Sequence, residues 1–199
     1  MKLITLSGLD GSGKSTQIEL LKDYLSSQGK TFFHFHAVNF SIANRRILTS
    51  MTNKSVTKAN WLQIQLRKIA LFIDIFRFKQ LIKKLKVDHI ISDRYFYDSV
   101  VNILFLEKSC RRRTSTKLFA EKYIPKPDFA FYISAKPETI MRRKRKPDQG
   151  IEYLKTKEKL YEQRKENWKM ITIDGEKDKK EVNQDIINCL KNQYGEKKI

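Results

Sequence analysis

Gly8-Leu9-Asp10-Gly11-Ser12-Gly13-Lys14-Ser15-Thr16 is the stretch on which the fold turns. It fits the pattern G-x-x-x-x-G-K-[S/T]. An apolar run, Leu3-Ile4-Thr5-Leu6, precedes it and reads as a buried strand. Behind it, Ile18, Leu20, Leu21, Tyr24 and Leu25 recur at helical spacing. Strand, glycine loop and helix is the context in which this pattern carries meaning. Glycines let the backbone bend tightly and turn successive N–H groups inward, forming a nest for phosphate oxygens. The helix N-terminus adds unbonded N–H groups and the positive end of its dipole. Gly8 to Thr16 are therefore expected to hold a nucleoside triphosphate, with Lys14 bridging the outer phosphates and the Ser15 hydroxyl ligating Mg²⁺.

The 199 residues suit a single domain with a core of its own. No apolar run approaches membrane-spanning length. The opening residues read as a strand rather than a cleavable apolar leader. Cys110 and Cys189 stand far apart and fit no metal spacing, which suits thiols in a reducing compartment, and the expected location is the cytoplasm. With 41 Lys+Arg against 22 Asp+Glu, the formal charge is +19. Two readings follow: a polyanion partner such as nucleic acid, or a lysine-rich solvated surface around a site for anionic substrates. No nucleic-acid module is recognisable, which favours the second.

Outward from the loop, strands and helices alternate to the end of the chain. Strands are expected at 2–7, 31–36, 89–92, 129–133 and 170–173, and helices at 15–28, 58–86, 97–106, 116–123, 138–145, 151–168 and 179–190, with a further short helix within 41–51. Trp61, Ile64, Ile69, Phe72, Ile73 and Phe76 stripe the long helix, as core or as an interface. Alternation of this kind implies α/β architecture: a parallel five-stranded sheet with helices on both faces, a three-layer sandwich. Ligands gather at the carboxyl ends of such strands. The breaker-rich segment Lys146-Pro147-Asp148-Gln149-Gly150 reads as part of a short lid spanning about 142–152.

Three features narrow the chemistry. Asp93-Arg94 closes an apolar strand, within reach of the loop; the carboxylate can hold Mg²⁺ and the guanidinium offers a planar fork to phosphate. Arg142-Arg143-Lys144-Arg145-Lys146 leads into the lid, where closing positive charge over a transferring phosphoryl group speeds transfer and excludes water. Asp10, a carboxylate inside a phosphate loop, is suited to accept a hydrogen bond from an acceptor hydroxyl or to hold a metal-bound water.

On these residues the chain resembles the thymidylate kinases, nucleoside monophosphate kinases of the P-loop fold. The phosphate loop with its acidic residue and following Gln17, Asp93-Arg94-Tyr95, Pro127-Asp128, Pro137-Glu138 with Arg143, the pair Asp148 and Glu152, and Ile173-Asp174-Gly175 are similar to that family's motifs. Family members place an arginine either in the phosphate loop or in the lid. With Gly11 in the loop, this chain looks like the second kind, and the resemblance implies Arg143 and Arg145 as the catalytic clamp beside Lys14, Asp93 and Arg94. It implies ATP and Mg²⁺ as cofactors, Ser15 and Asp93 at the metal, and Asp10, Arg45, Arg77, Arg94 and Tyr95 at the acceptor. The favoured acceptor is dTMP; the alternatives are a different acceptor, or a nucleotide-gated nucleic-acid-binding protein. A homodimer through the long helix is a further implication. The acceptor side differs from the family pattern. Asp98, Asn102 and Ile103 stand where Ser and Tyr-Gln are usual, Ile73 stands where a stacking Phe is usual, and Asn39-Phe40 and Arg45-Arg46 replace a Phe-Pro and glycine-rich segment.

Overall fold

The computed structural model describes residues 1–44, 57–109, 118–144 and 146–195. In chain order it contains β1 (Lys2–Gly8), α1 (Lys14–Ser27), β2 (Phe32–His36), α2 (Ala37–Phe40), α3 (Trp61–Lys84), β3 (His89–Asp93), α4 (Phe96–Ser109), β4 (Phe129–Ser134), α5 (Pro137–Arg142), α6 (Ile151–Glu162), β5 (Ile171–Asp174) and α7 (Lys179–Gly195). Single 3-10 turns lie at Ile42–Asn44 and Phe119–Tyr123.

All five strands are parallel, in the order β2-β3-β1-β4-β5. Register puts Leu6 of β1 opposite Asp93 of β3, and Gly8 opposite Ile133 of β4. The loop leaving β1 therefore emerges at the centre of the sheet, where the strand order reverses, the usual place for a ligand in an open α/β sheet.

The three central strands, β3, β1 and β4, alternate their side chains between two buried faces. Leu3, Ile90, Ala130 and Tyr132 join the cluster built by Leu71, Ile75 and Phe78 of α3, Val100 and Leu104 of α4, and Tyr153 and Leu154 of α6. Ile4, Leu6, Ile91, Phe131 and Ile133 join Ile18 and Leu21 of α1 and Val182 and Ile186 of α7. Burial on both faces explains why the strands read as nearly continuous apolar runs.

The α/β sandwich and its five strands are as the sequence implied, with ends shifted by a residue or so. Several helical expectations differ. The helix expected over 151–168 stops at Glu162 and gives way to turns. The segment expected as a helix over 116–123 is a 3-10 turn where it is described. Helix α2 was not anticipated; His36 starts it, its ring Nδ1 accepting from the Asn39 N–H. Within 41–51, only Ile42–Asn44 is described as a turn of helix. Of the two readings of the stripe on α3, core holds only in part. Ile64 is buried, but Trp61, Ile69, Ile73 and Phe76 are 40% exposed or more; the core takes Ala70, Leu71, Ile75 and Phe78 instead. Apolar residues are spread over more than one side of this helix, so periodicity alone does not select which stripe faces inward.

Candidate active site

The loop between β1 and α1 is built as an anion cradle. Gly11 and Gly13 have φ of 85° and 104°, in the left-handed region. Gly13 also starts α1, no side chain caps that start, and the first turn carries no acidic residue, so its N–H groups are available to an anion. Gly8 lies against β4: a Cβ there would stand 2.6 Å from the Ile133 carbonyl oxygen. Lys14 is buried, and its ammonium donates to the carbonyls of Gly8 (3.0 Å) and Leu9 (2.7 Å). Burial and the nearby Arg94 guanidinium pull the ammonium down to about 8, against the attraction of Asp98, Asp10 and Asp93.

Arginine reaches this loop from two sides. Arg94 follows the last residue of β3 with φ of 55°, an uncommon conformation for a residue with a side chain. Its carbonyl accepts from the Ala37 N–H, which fixes the bend, and its guanidinium pairs with Asp10. From the other side Arg143, just beyond α5, donates to the Gly11 carbonyl and to the Gly175 carbonyl, both at 2.7 Å. It thereby spans the phosphate loop and the turn after β5. Gly175 itself is pressed close, with the Ser12 carbonyl oxygen 3.2 Å from where a Cβ would sit.

Asp10 is the hub. One oxygen holds Arg94; the other accepts from the Tyr153 hydroxyl at 2.6 Å and from the Lys157 ammonium at 3.3 Å. Burial alone would raise its pKa. The charges of Lys157, Arg94 and Lys14 and the Tyr153 hydrogen bond overcome that and hold it well below the usual carboxylate range. Beneath it, Asp98 accepts from Ser7 Oγ (2.6 Å), the Tyr95 N–H (3.0 Å) and the Tyr161 hydroxyl (2.8 Å), joining β1, the end of β3 and α6. Burial, then Asp98, pushes the Tyr161 phenol well above its ordinary value.

The sequence-predicted residues thus divide. Gly8 to Thr16, Lys14, Asp93, Arg94 and Arg143 are brought to one end of the sheet. Arg45 and Arg145 lie outside the described residues, as do Arg46 and Arg111 to Arg113. Tyr95 is a correction: it is fully buried, and its hydroxyl donates to the Pro125 carbonyl at 2.6 Å, so it serves the core rather than a substrate. Arg77 is committed locally, pairing with buried Asp74 at 2.6 Å and lying 4.3 Å above the Phe40 ring. Asp74 also accepts from the Ile42 N–H, so these residues make a wall between α3 and the segment after β2. Tyr153, Lys157 and Tyr161 were missed. They recur every four residues along α6, putting polar tips on its buried face, and that spacing was the available signal.

The site fits a nucleoside triphosphate with a divalent cation on internal grounds. Asp93 Oδ1 and Ser12 Oγ are buried without a hydrogen-bond partner, one beside the loop and one within it. Among the described residues no group of three or more His, Cys, Asp or Glu is placed to hold a metal.

A phosphate cradle at the centre of a parallel sheet, with Arg94 and Arg143 reaching it from either flank, defines a P-loop phosphotransferase of the nucleoside monophosphate kinase class. Comparison with known proteins sharpens this. Residues 6–186 match the family model described as thymidylate kinase, and the chain belongs to that family. It is 26% identical over 195 residues to a thymidylate kinase of Plasmodium falciparum, covering 94% of this chain and 88% of that one. It is 27% identical over 197 residues to a probable thymidylate kinase of Methanocaldococcus jannaschii, covering 95% of each. Among solved structures, thymidylate kinase from Candida albicans superposes with a TM-score of 0.72 at 20% identity, covering 97% of this chain and 92% of that one. Deoxyadenosine kinase from M. mycoides gives 0.61 at 18%, covering 95% and 99%. At these identities the structural likenesses speak for the fold.

Proposed function

We propose that this protein transfers the γ-phosphoryl group of ATP to dTMP, giving dTDP. The observation that carries the reading is the cradle with Lys14 at its centre and Arg94 and Arg143 converging on it, in a chain that matches the thymidylate kinase family over nearly its whole length. The acceptor phosphate oxygen is already anionic, so its in-line attack on the γ-phosphorus needs no strong base. The residues contribute position and charge. Lys14, now resting on the loop carbonyls, would turn to the outer phosphates. Arg143 would exchange two carbonyl contacts for phosphate oxygens, and Arg94 would face the acceptor. Ser15 and Asp93 would hold Mg²⁺, which when bound neutralises phosphate charge.

Among the described residues no helix is long and apolar enough to cross a membrane, and we place the protein in the cytoplasm. The exposed apolar residues of α3, with Phe119 at 63% exposure, support a homodimer as its state. We read the +19 charge as a surface suited to anionic substrates rather than to nucleic acid.

The test is turnover of ATP with a panel of nucleoside monophosphates. dTMP should give the highest kcat/KM, and Lys14→Ala should lower it at least about a hundredfold. A different preferred acceptor would overturn the acceptor assignment, and a Lys14→Ala protein with wild-type turnover would overturn the site.

A further inference from the structure

Lys157 takes no part in the chemistry above, yet it is only 4% exposed and lies on the buried face of α6 beside the site. Its ammonium donates to the Tyr153 hydroxyl at 2.5 Å and to Asp10 at 3.3 Å. Tyr153 donates to the same Asp10 oxygen, and the other oxygen holds Arg94. Burying an ammonium is costly unless it is paired, so its place here calls for a reason.

That reason lies in the charge balance of the loop. Asp10 and Arg94 alone form a neutral pair, in which the carboxylate cancels the field of the guanidinium and repels incoming phosphate. With Lys157 these three groups sum to one positive charge, and the ammonium binds the Asp10 oxygen that Arg94 does not. Asp98 also faces these cations, but Ser7, the Tyr95 N–H and Tyr161 engage it.

We propose that Lys157 is a positioning residue for phosphoryl transfer: it neutralises Asp10 so that the charge of Arg94 is available to substrate phosphate, and with Tyr153 it fixes the carboxylate that orients that guanidinium. The inference rests on the kinase reading of the site. The assay therefore uses whichever monophosphate the wild-type protein turns over best, so that an error in the dTMP assignment and an error here read out separately.

The experiment compares Lys157→Met, Asp10→Asn and the double variant. Lys157→Met should lower kcat/KM for the monophosphate by about tenfold to a hundredfold, the range typical of residues that support a first contact. Adding Asp10→Asn removes the charge that Lys157 offsets, and the amide oxygen this substitution leaves in place can still accept from Arg94. The double variant should therefore be at least about fivefold more active than Lys157→Met; contacting residues also couple through stability, so kcat/KM is compared well below the Tm of every variant, where a purely structural role gives no recovery. Thermal unfolding of each variant establishes that the fold is retained. Should Lys157→Met not fold, Lys157→Gln, which keeps a donor to the Tyr153 hydroxyl without the charge, carries the same comparison. A Lys157 variant within threefold of wild type overturns the proposal, as does a double variant no better than the single.

Discussion

Gly175→Ala is the substitution for which the structure gives the sharpest expectation. An added Cβ would stand 2.8 Å from Ile133 Cγ2, 2.9 Å from the Ser134 carbonyl oxygen and 3.2 Å from the Ser12 carbonyl oxygen. Ordinary contacts begin near 3.4 Å. Rotating the Ile133 side chain relieves only the first clash. The Ser134 oxygen is fixed, because it belongs to β4 and accepts the Gly175 N–H at 2.7 Å. The Ser12 oxygen is part of the phosphate loop. Overpacking against backbone costs about 1–3 kcal/mol. For a domain of this length each kcal/mol lowers Tm by about 2–4 °C, so the fall should be about 2–12 °C. The strain should also reach the site, since it pushes on the loop and displaces the carbonyl that Arg143 grips. ATP affinity should weaken about tenfold, or about 1.4 kcal/mol. Gly29→Ala is the control. Nothing lies within 4 Å of its added Cβ, and its φ of 65° makes the cost purely conformational, about 1 kcal/mol, with ATP binding unchanged. Differential scanning calorimetry and titration calorimetry measure both quantities. A Gly175→Ala protein that melts within 2 °C of wild type and binds ATP equally well would refute the claim that the turn after β5 braces the phosphate loop.

Two further outcomes are expected. Arg143→Met should lower kcat about a thousandfold or more while ATP affinity changes only severalfold, because its charge matters most as phosphoryl transfer proceeds; single-turnover kinetics separates the two. Affinity for ATP should be flat below the Lys14 pKa of about 8 and fall above it, since the triphosphate selects the protonated ammonium. Binding at pH 9 should be about tenfold weaker than at pH 7, with Lys14→Met flat over the same range in titration calorimetry.

The sheet was legible because each strand is a short apolar run bounded by breakers, and the donor half because its motif needs glycines and lysine at fixed spacing. The nearness of Arg143 to the phosphate loop was legible through the family pattern, beside a basic run that leads into a breaker-rich segment. What escaped depends on partners distant in sequence. Tyr95 follows a site motif, but its surroundings, Phe78 and Phe96 among them, draw it into the core. Asp98 sits where the family pattern suggested a nucleoside contact, and only folding brings Ser7 and Tyr161 to it. Which face of α3 turns inward escaped as well, because the helix carries apolar residues on more than one side.

Tyr153, Lys157 and Tyr161 engage Asp10 and Asp98 from successive turns of one helix, and this sets what descent with modification can change. The breaker-rich loop before the helix can lengthen or shorten between lineages, because slack there is absorbed ahead of the first anchored turn. One residue gained or lost between Tyr153 and Tyr161 would rotate the later side chains by about 100° and tear one end from its carboxylate. Homologues of this chain should therefore vary in lid length while keeping these three positions in constant phase.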